Sequence, residues 1–231
     1  MRLAVLTTYL TRWGHIDALR KEARILYGLL NQERPHDEIF VVSVEDEINP
    51  VGIDMGKGIF LTSFERLNEL IDKLALDVIH IIEATPFLLA IILKGRTKLP
   101  CKVIVNCVDN NPLEGINEND LEDILHISEY NECHFFCYSE HAQEVLKKAG
   151  IRNVSQTLPL LDSSFYLKEV PKANQYESTM PLNLGFASSP FHEDSFSARG
   201  LNLIVDLLRQ DKTNFNLKIP WREESLSLRM F

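Results

Sequence analysis

Serines, acids and one arginine crowd the stretch between Gly185 and Leu201, and their types and order suit an anionic ligand. Ser188 and Ser189 come first, then His192, Glu193 and Asp194, and then Ser197-Ala198-Arg199-Gly200. An apolar, extended run (Leu182, Leu184, Phe186) precedes them, and a helical pattern follows, with Leu201, Ile204, Val205 and Leu208 on one face. A loop entering a helix presents unpaired N–H groups and the positive end of the helix dipole, the local field a phosphate or diphosphate needs. Arg199 adds a planar cationic fork matched to phosphate oxygens. Neither GxxxxGK[ST] nor GxGxxG occurs, so this is not a P-loop or a dinucleotide fingerprint.

The remaining polar candidates sit where apolar runs end. After residues 3–8 come Arg12, Gly14 and His15; Gly14 at a helix entrance would let backbone approach a ligand closely, and His15 reads equally as a solvated helix-start residue. Glu83 and Thr85 follow the run at 78–82. Asp109, Asn110 and Asn111 follow the run at 102–108; Asp109 could orient a hydroxyl or act as a base, and Asp-Asn-Asn-Pro is equally good turn chemistry. Ser139, Glu140 and His141 follow the run at 135–138 and read chiefly as a helix cap. His80, inside a strand, reads as a satisfied core histidine.

Four cysteines raise a metal or disulfide reading, but Cys133 and Cys137 flank one strand. Four residues of strand separate their side chains by roughly 13 Å, too far to share a zinc ion held at about 2.3 Å by each sulfur. Small core thiols in a reducing compartment are expected, and no metal.

The elements that must position these groups alternate. Strands are expected at 3–8, 39–44, 78–82, 102–108, 135–138 and 153–158. Helices are expected over 15–30, from Thr62-Ser63-Phe64-Glu65 in capping-box form, after Pro86, from Asn119, and after Ser139. Residues 45–61, with glycines at 52, 56 and 58, read as an irregular segment or hairpin. The strands are apolar runs rather than in-out alternations, the mark of a parallel sheet covered on both faces. The fold expected is α/β: a Rossmann-like parallel sheet with helices on both faces over 1–167, a polar, proline-bounded linker at 168–181, and an incomplete second Rossmann-like unit over 182–231.

With 231 residues, 45% hydrophobic and 25% charged, the composition is that of an ordinary globular protein. Twenty-four basic against 33 acidic residues leave a net charge of −9, which excludes a nucleic-acid-binding surface, since that needs a basic face. The N-terminal apolar run is too short for a secretory core and the run at 87–93 too short for a membrane span, so a cytoplasmic protein is expected, with room for peripheral membrane contact.

DVIHIIEATPFLLAIIL, KVIVNCVDNNP, FFCYSEHAQEVLKKAGIRNVSQTLPLLDSSFY and LNLGFASSPFHEDSFSARGLNLIVDLL occur in an order and spacing that resembles the retaining "group 1", glycogen-synthase-like glycosyltransferases of GT-B fold. The resemblance implies two facing Rossmann-like domains, acceptor on the N-terminal one and nucleotide-sugar donor on the C-terminal one. It implies sugar transfer with retention to a glycan, glycolipid or small-molecule acceptor, and no metal or other cofactor. By position, Gly14 would lie in the glycine loop between domains, with Arg12 and His15 on the acceptor side. Arg199 would hold the donor diphosphate, Ser188 and Ser189 would line its pocket, and Arg222 would open the next donor-side loop. Asp109 and Glu83 would face the acceptor and sugar as the catalytic candidates. The chain departs from the family at Ile82, Val108 and Ala187-Ser188, and the paired glutamates that grip the donor would fall beyond Phe231. A donor domain cut short is therefore expected, and with it a rival reading: a non-catalytic homologue acting as a scaffold that pairs through the exposed apolar edge of its second unit.

Overall fold

The computed structural model describes residues 1–10, 18–46, 52–96, 98–129, 133–160, 182–185, 201–210 and 215–218. The chain divides into two compact units, Met1–Tyr166 and Leu167–Phe231.

In the first unit, strands β1 (Arg2–Thr8), β2 (Glu38–Val44), β3 (Ile53–Asp54), β4 (Ile59–Thr62), β5 (Val78–Glu83), β6 (Lys102–Cys107), β7 (Cys133–Cys137) and β8 (Val154–Gln156) form one sheet. Its order is β3-β4-β2-β1-β5-β6-β7-β8. Every pairing is parallel except the short β3–β4 contact at the edge. The segment read as irregular or a hairpin thus supplies two strands, paired antiparallel as a hairpin. Gly58 makes that turn possible: its φ is +75°, and a Cβ there would lie 2.7 Å from the Ile39 carbonyl oxygen.

Helices α1 (Ala18–Glu33), α2 (Leu67–Leu74), α3 (Phe87–Leu93), α4 (Glu118–Glu129) and α5 (Glu140–Lys148) connect the strands. The strand alternation sorts the core into two layers. Ala4, Leu6, Ile79, Ile81, Val103, Val105 and Phe135 face α2 to α5, whereas Leu3, Val5, Val41 and Ile82 face α1. Apolar runs with no polar partner face are what a sheet covered on both sides requires.

Two helix starts differ from expectation. Ser63 precedes a 3₁₀ turn (Phe64–Arg66) rather than the α-helix, and among the described residues its buried hydroxyl has no hydrogen-bond partner. Helix α4 is capped by Asn117, not Asn119: the Asn117 side chain accepts from Asp120 N at 2.9 Å and donates to its carboxylate at 2.8 Å. Both asparagines have the right chemistry; which one caps depends on where the preceding turn delivers the chain. Ser139 caps α5 as expected, accepting from Ala142 N at 3.1 Å.

In the second unit, β9 (Leu182–Gly185), α6 (Leu201–Gln210) and β10 (Phe215–Lys218) make a β-α-β unit whose strands pair in parallel, Leu182 against Phe215. These strands form their own sheet. On α6, Ile204, Val205 and Leu208 are the more covered positions, and Leu203 and Leu207 are exposed.

Candidate functional site

Winding reverses between β1 and β5. From β1 the chain passes through α1 to β2 on one side, and the later strands add on the other. In open α/β sheets the crevice beyond the carboxyl ends at such a point is where ligands bind. The side chains there are Thr7 and Thr8, ending β1, and Glu83, ending β5.

The register that sets Leu6 beside Ile81 brings Thr8 alongside Glu83. Glu83 Oε1 accepts from Thr8 N at 2.6 Å and from Thr7 Oγ1 at 3.3 Å. Glu83 is only 4% exposed. Burial pushes its carboxyl pKa up, against the opposing pull of the Thr8 and Thr7 hydrogen bonds and the Arg20 charge. The first residues of the following loop are pinned from the opposite side. Tyr9, at φ +51°, donates its N–H to Val44 O at 3.0 Å and its hydroxyl to Asp46 at 2.9 Å. Leu10 N donates to Ser43 Oγ at 2.9 Å, and Ser43 donates to Glu45 at 2.6 Å. Arg20, from α1, donates to Tyr9 O at 2.9 Å with its guanidinium 5.7 Å from the Tyr9 ring centroid. The carboxyl ends of β1, β2 and β5 are thus tied around one loop entrance.

Asp109 stands in the next loop. Its N–H donates to Ala84 O at 3.1 Å, so the loops leaving β5 and β6 run side by side and set the two candidate catalytic carboxylates at neighbouring strand ends. Asp109 is exposed, and its Oδ1 accepts from Asn111 N at 3.3 Å, an Asx turn. Arg12, Gly14, His15, Ser188, Ser189, Arg199 and Arg222 lie outside the described residues.

His80 is half-buried, with Nε2 3.0 Å from Asn106 Oδ1, and burial lowers its pKa. Among the described residues no group of three His, Cys, Asp or Glu could hold a metal. The cysteines are free thiols, and burial raises the pKa of Cys133 to about 12 and that of Cys137 to about 11.

A second polar cluster escaped the sequence reading. Tyr138 donates its hydroxyl to Glu22 Oε1, and Asn106 Nδ2 lies 3.3 Å from that oxygen and 3.2 Å from the Tyr138 hydroxyl. Its signal was present: Asn106 interrupts an apolar strand, and Glu22 falls on the same helix face as Leu19, Ala23 and Leu26.

No family model matches the sequence, and no curated protein matches it either. Solved structures do. A lipopolysaccharide outer core galactosyltransferase, WaaB, in its apo form, is similar at a TM-score of 0.61 and 9% identity, covering 95% of this chain and 60% of that one. An alpha-glucosyltransferase, AGT, in complex with UDP, is similar at a TM-score of 0.57 and 14% identity, covering 100% of this chain and 60% of that one. The chain matches about three fifths of the length of each. At such identities the likeness speaks to architecture: this is a mixed α/β chain, its eight-stranded sheet parallel but for one edge pair, similar in fold to GT-B glycosyltransferases.

Proposed function

We propose that this chain belongs to a glycosyltransferase that moves a sugar from a nucleotide-sugar donor to an acceptor with retention at the anomeric carbon. The observation that carries this reading is the likeness of the chain, along 95% or more of its length, to two sugar transferases, one of them bound to UDP. The acceptor is a glycan, glycolipid or small molecule held at the carboxyl ends of β1, β5 and β6 by Arg12, Gly14 and His15. Asp109 orients the reacting hydroxyl, and Glu83 shapes the loop that meets it. On the donor side Arg199, Ser188, Ser189 and Arg222 hold the diphosphate, whose negative charge grows as the glycosidic bond breaks; fixed cations and N–H groups lower that barrier without a metal. The domains in this reading are 1–167 and 182–231, joined by 168–181.

A thermal-shift panel of UDP-, GDP- and ADP-sugars on the purified chain tests the donor. One nucleotide class is expected to raise the melting temperature, and Arg199→Ala to abolish the rise. Equal protection of the variant contradicts the placement of the diphosphate.

Leu203 and Leu207, exposed one turn apart on α6, support the scaffold reading as the alternative. It predicts a stable dimer by light scattering that Leu203→Glu dissolves, with no response to any nucleotide sugar.

A further inference from the structure

Glu22 is 4% exposed, and among the described residues no lysine or arginine pairs with it. Among the described residues its carboxylate is met only by neutral donors: the Tyr138 hydroxyl from the end of β7, the Asn106 amide from β6, and the Leu160 N–H from the chain leaving β8. Four pieces of the first unit, including α1 itself, therefore converge on one side chain. Leu160 lies just ahead of the boundary with the second unit, after Tyr166.

We propose that Glu22 is a proton-gated clip, fastening α1 and the chain leaving β8 to the carboxyl ends of β6 and β7, and that it loosens when its proton departs. The inference is independent of the sugar-transfer reading, because it concerns only contacts within the first unit.

The physical reason is the donor set. A carboxylate taken out of water keeps its charge cheaply only beside a cation. Here desolvation outweighs the three hydrogen bonds, and the carboxyl holds its proton above the ordinary glutamate value. The groups around it do not offset this. Tyr138 is held protonated by burial and by Glu22 itself, and burial lowers the pKa of His80, one amide away on β5. Lys102, the charged residue of β6, stands at the start of that strand, four residues before Asn106, and the described residues after β8, Thr157 to Leu160, carry no charge. Opening the junction returns Glu22 to water, where it ionises from about the ordinary glutamate value of 4.5. Opening thus releases a proton across the window between 4.5 and the higher closed-state value, and rising pH favours the open junction there. A purely structural role would be met as well by glutamine, which carries no charge to desolvate.

Hydrogen exchange on the full chain, from about pH 4 to pH 8, reads this directly. After correction for intrinsic base catalysis, protection of the Leu160 amide and of the amides of α1 around Glu22 is expected to fall as pH rises through the window. One proton limits the slope to about tenfold per pH unit. Glu22→Gln, which mimics the protonated clip, is expected to flatten the profile. Tyr138→Phe removes a donor from the ionised form, raises the closed-state value further, and is expected to carry the fall to higher pH; it serves if the glutamine variant does not fold. A wild-type profile without the fall, a Glu22→Gln profile as steep as the wild type, or a Tyr138→Phe profile that ends at lower pH overturns the proposal.

Discussion

Glu83 Oε1 accepts the Thr8 N–H at 2.6 Å, joining the carboxyl ends of β5 and β1 where the winding of the sheet reverses. The contact bridges 75 residues of sequence and turns a side chain into a clamp on the backbone that enters the first loop. Removing it strands a buried N–H and the Thr7 hydroxyl. Glu83→Ala is therefore expected to cost about 1–3 kcal/mol, the desolvation penalty of unsatisfied buried donors. Urea unfolding at neutral pH checks this, and a loss below about 0.5 kcal/mol means water replaces the carboxylate.

The same group gives stability a pH dependence of defined sign. The folded carboxyl has a raised pKa and the unfolded one ionises near 4.5. Between those values the unfolded chain releases the proton that the folded chain keeps, so stability falls as pH rises through that interval. Glu83→Gln has no such proton to lose. The difference in unfolding free energy between variant and wild type should shift toward the variant from about pH 4.5 to pH 7.5. Parallel denaturation curves at the two pH values measure it, and a constant difference refutes it.

Asp109 separates catalysis from stability. Among the described residues its one side-chain hydrogen bond is the Asx turn, accepted from Asn111 N at 3.3 Å, which asparagine reproduces. Asp109→Asn should leave the melting temperature unchanged and, if Asp109 handles the acceptor proton, slow transfer by about 10²–10⁴-fold. Unchanged turnover assigns Asp109 to the turn alone.

Helix α2 ends on Ala75, whose φ of +47° and ψ of +57° place it in the left-handed region while its N–H bonds back to Ile71 O and Asp72 O. A Cβ is disfavoured there by about 1–2 kcal/mol, a strain glycine lacks. Ala75→Gly is expected to stabilise the chain by about 0.5–1 kcal/mol after the entropy of the more flexible unfolded glycine is subtracted. A lower melting temperature for the variant overturns the strain argument.

The strands were legible as apolar runs. Residues 78–82 and 102–108 needed no neighbour to identify them, because a strand buried on both faces declares itself through its own composition. The Ser139 cap and the α6 face were legible for the same reason: each depends on residues within a turn or two of one another. By itself the sequence determined the alternation of elements and the polar groups at strand ends. The tertiary structure alone decided the order of the strands, and with it which ends meet. It paired Glu83 with Thr8, set Asp109 beside Ala84, and joined Glu22 to Tyr138 across 116 positions. Those partnerships depend on how the sheet winds, a property of the whole chain's packing that no window of sequence contains.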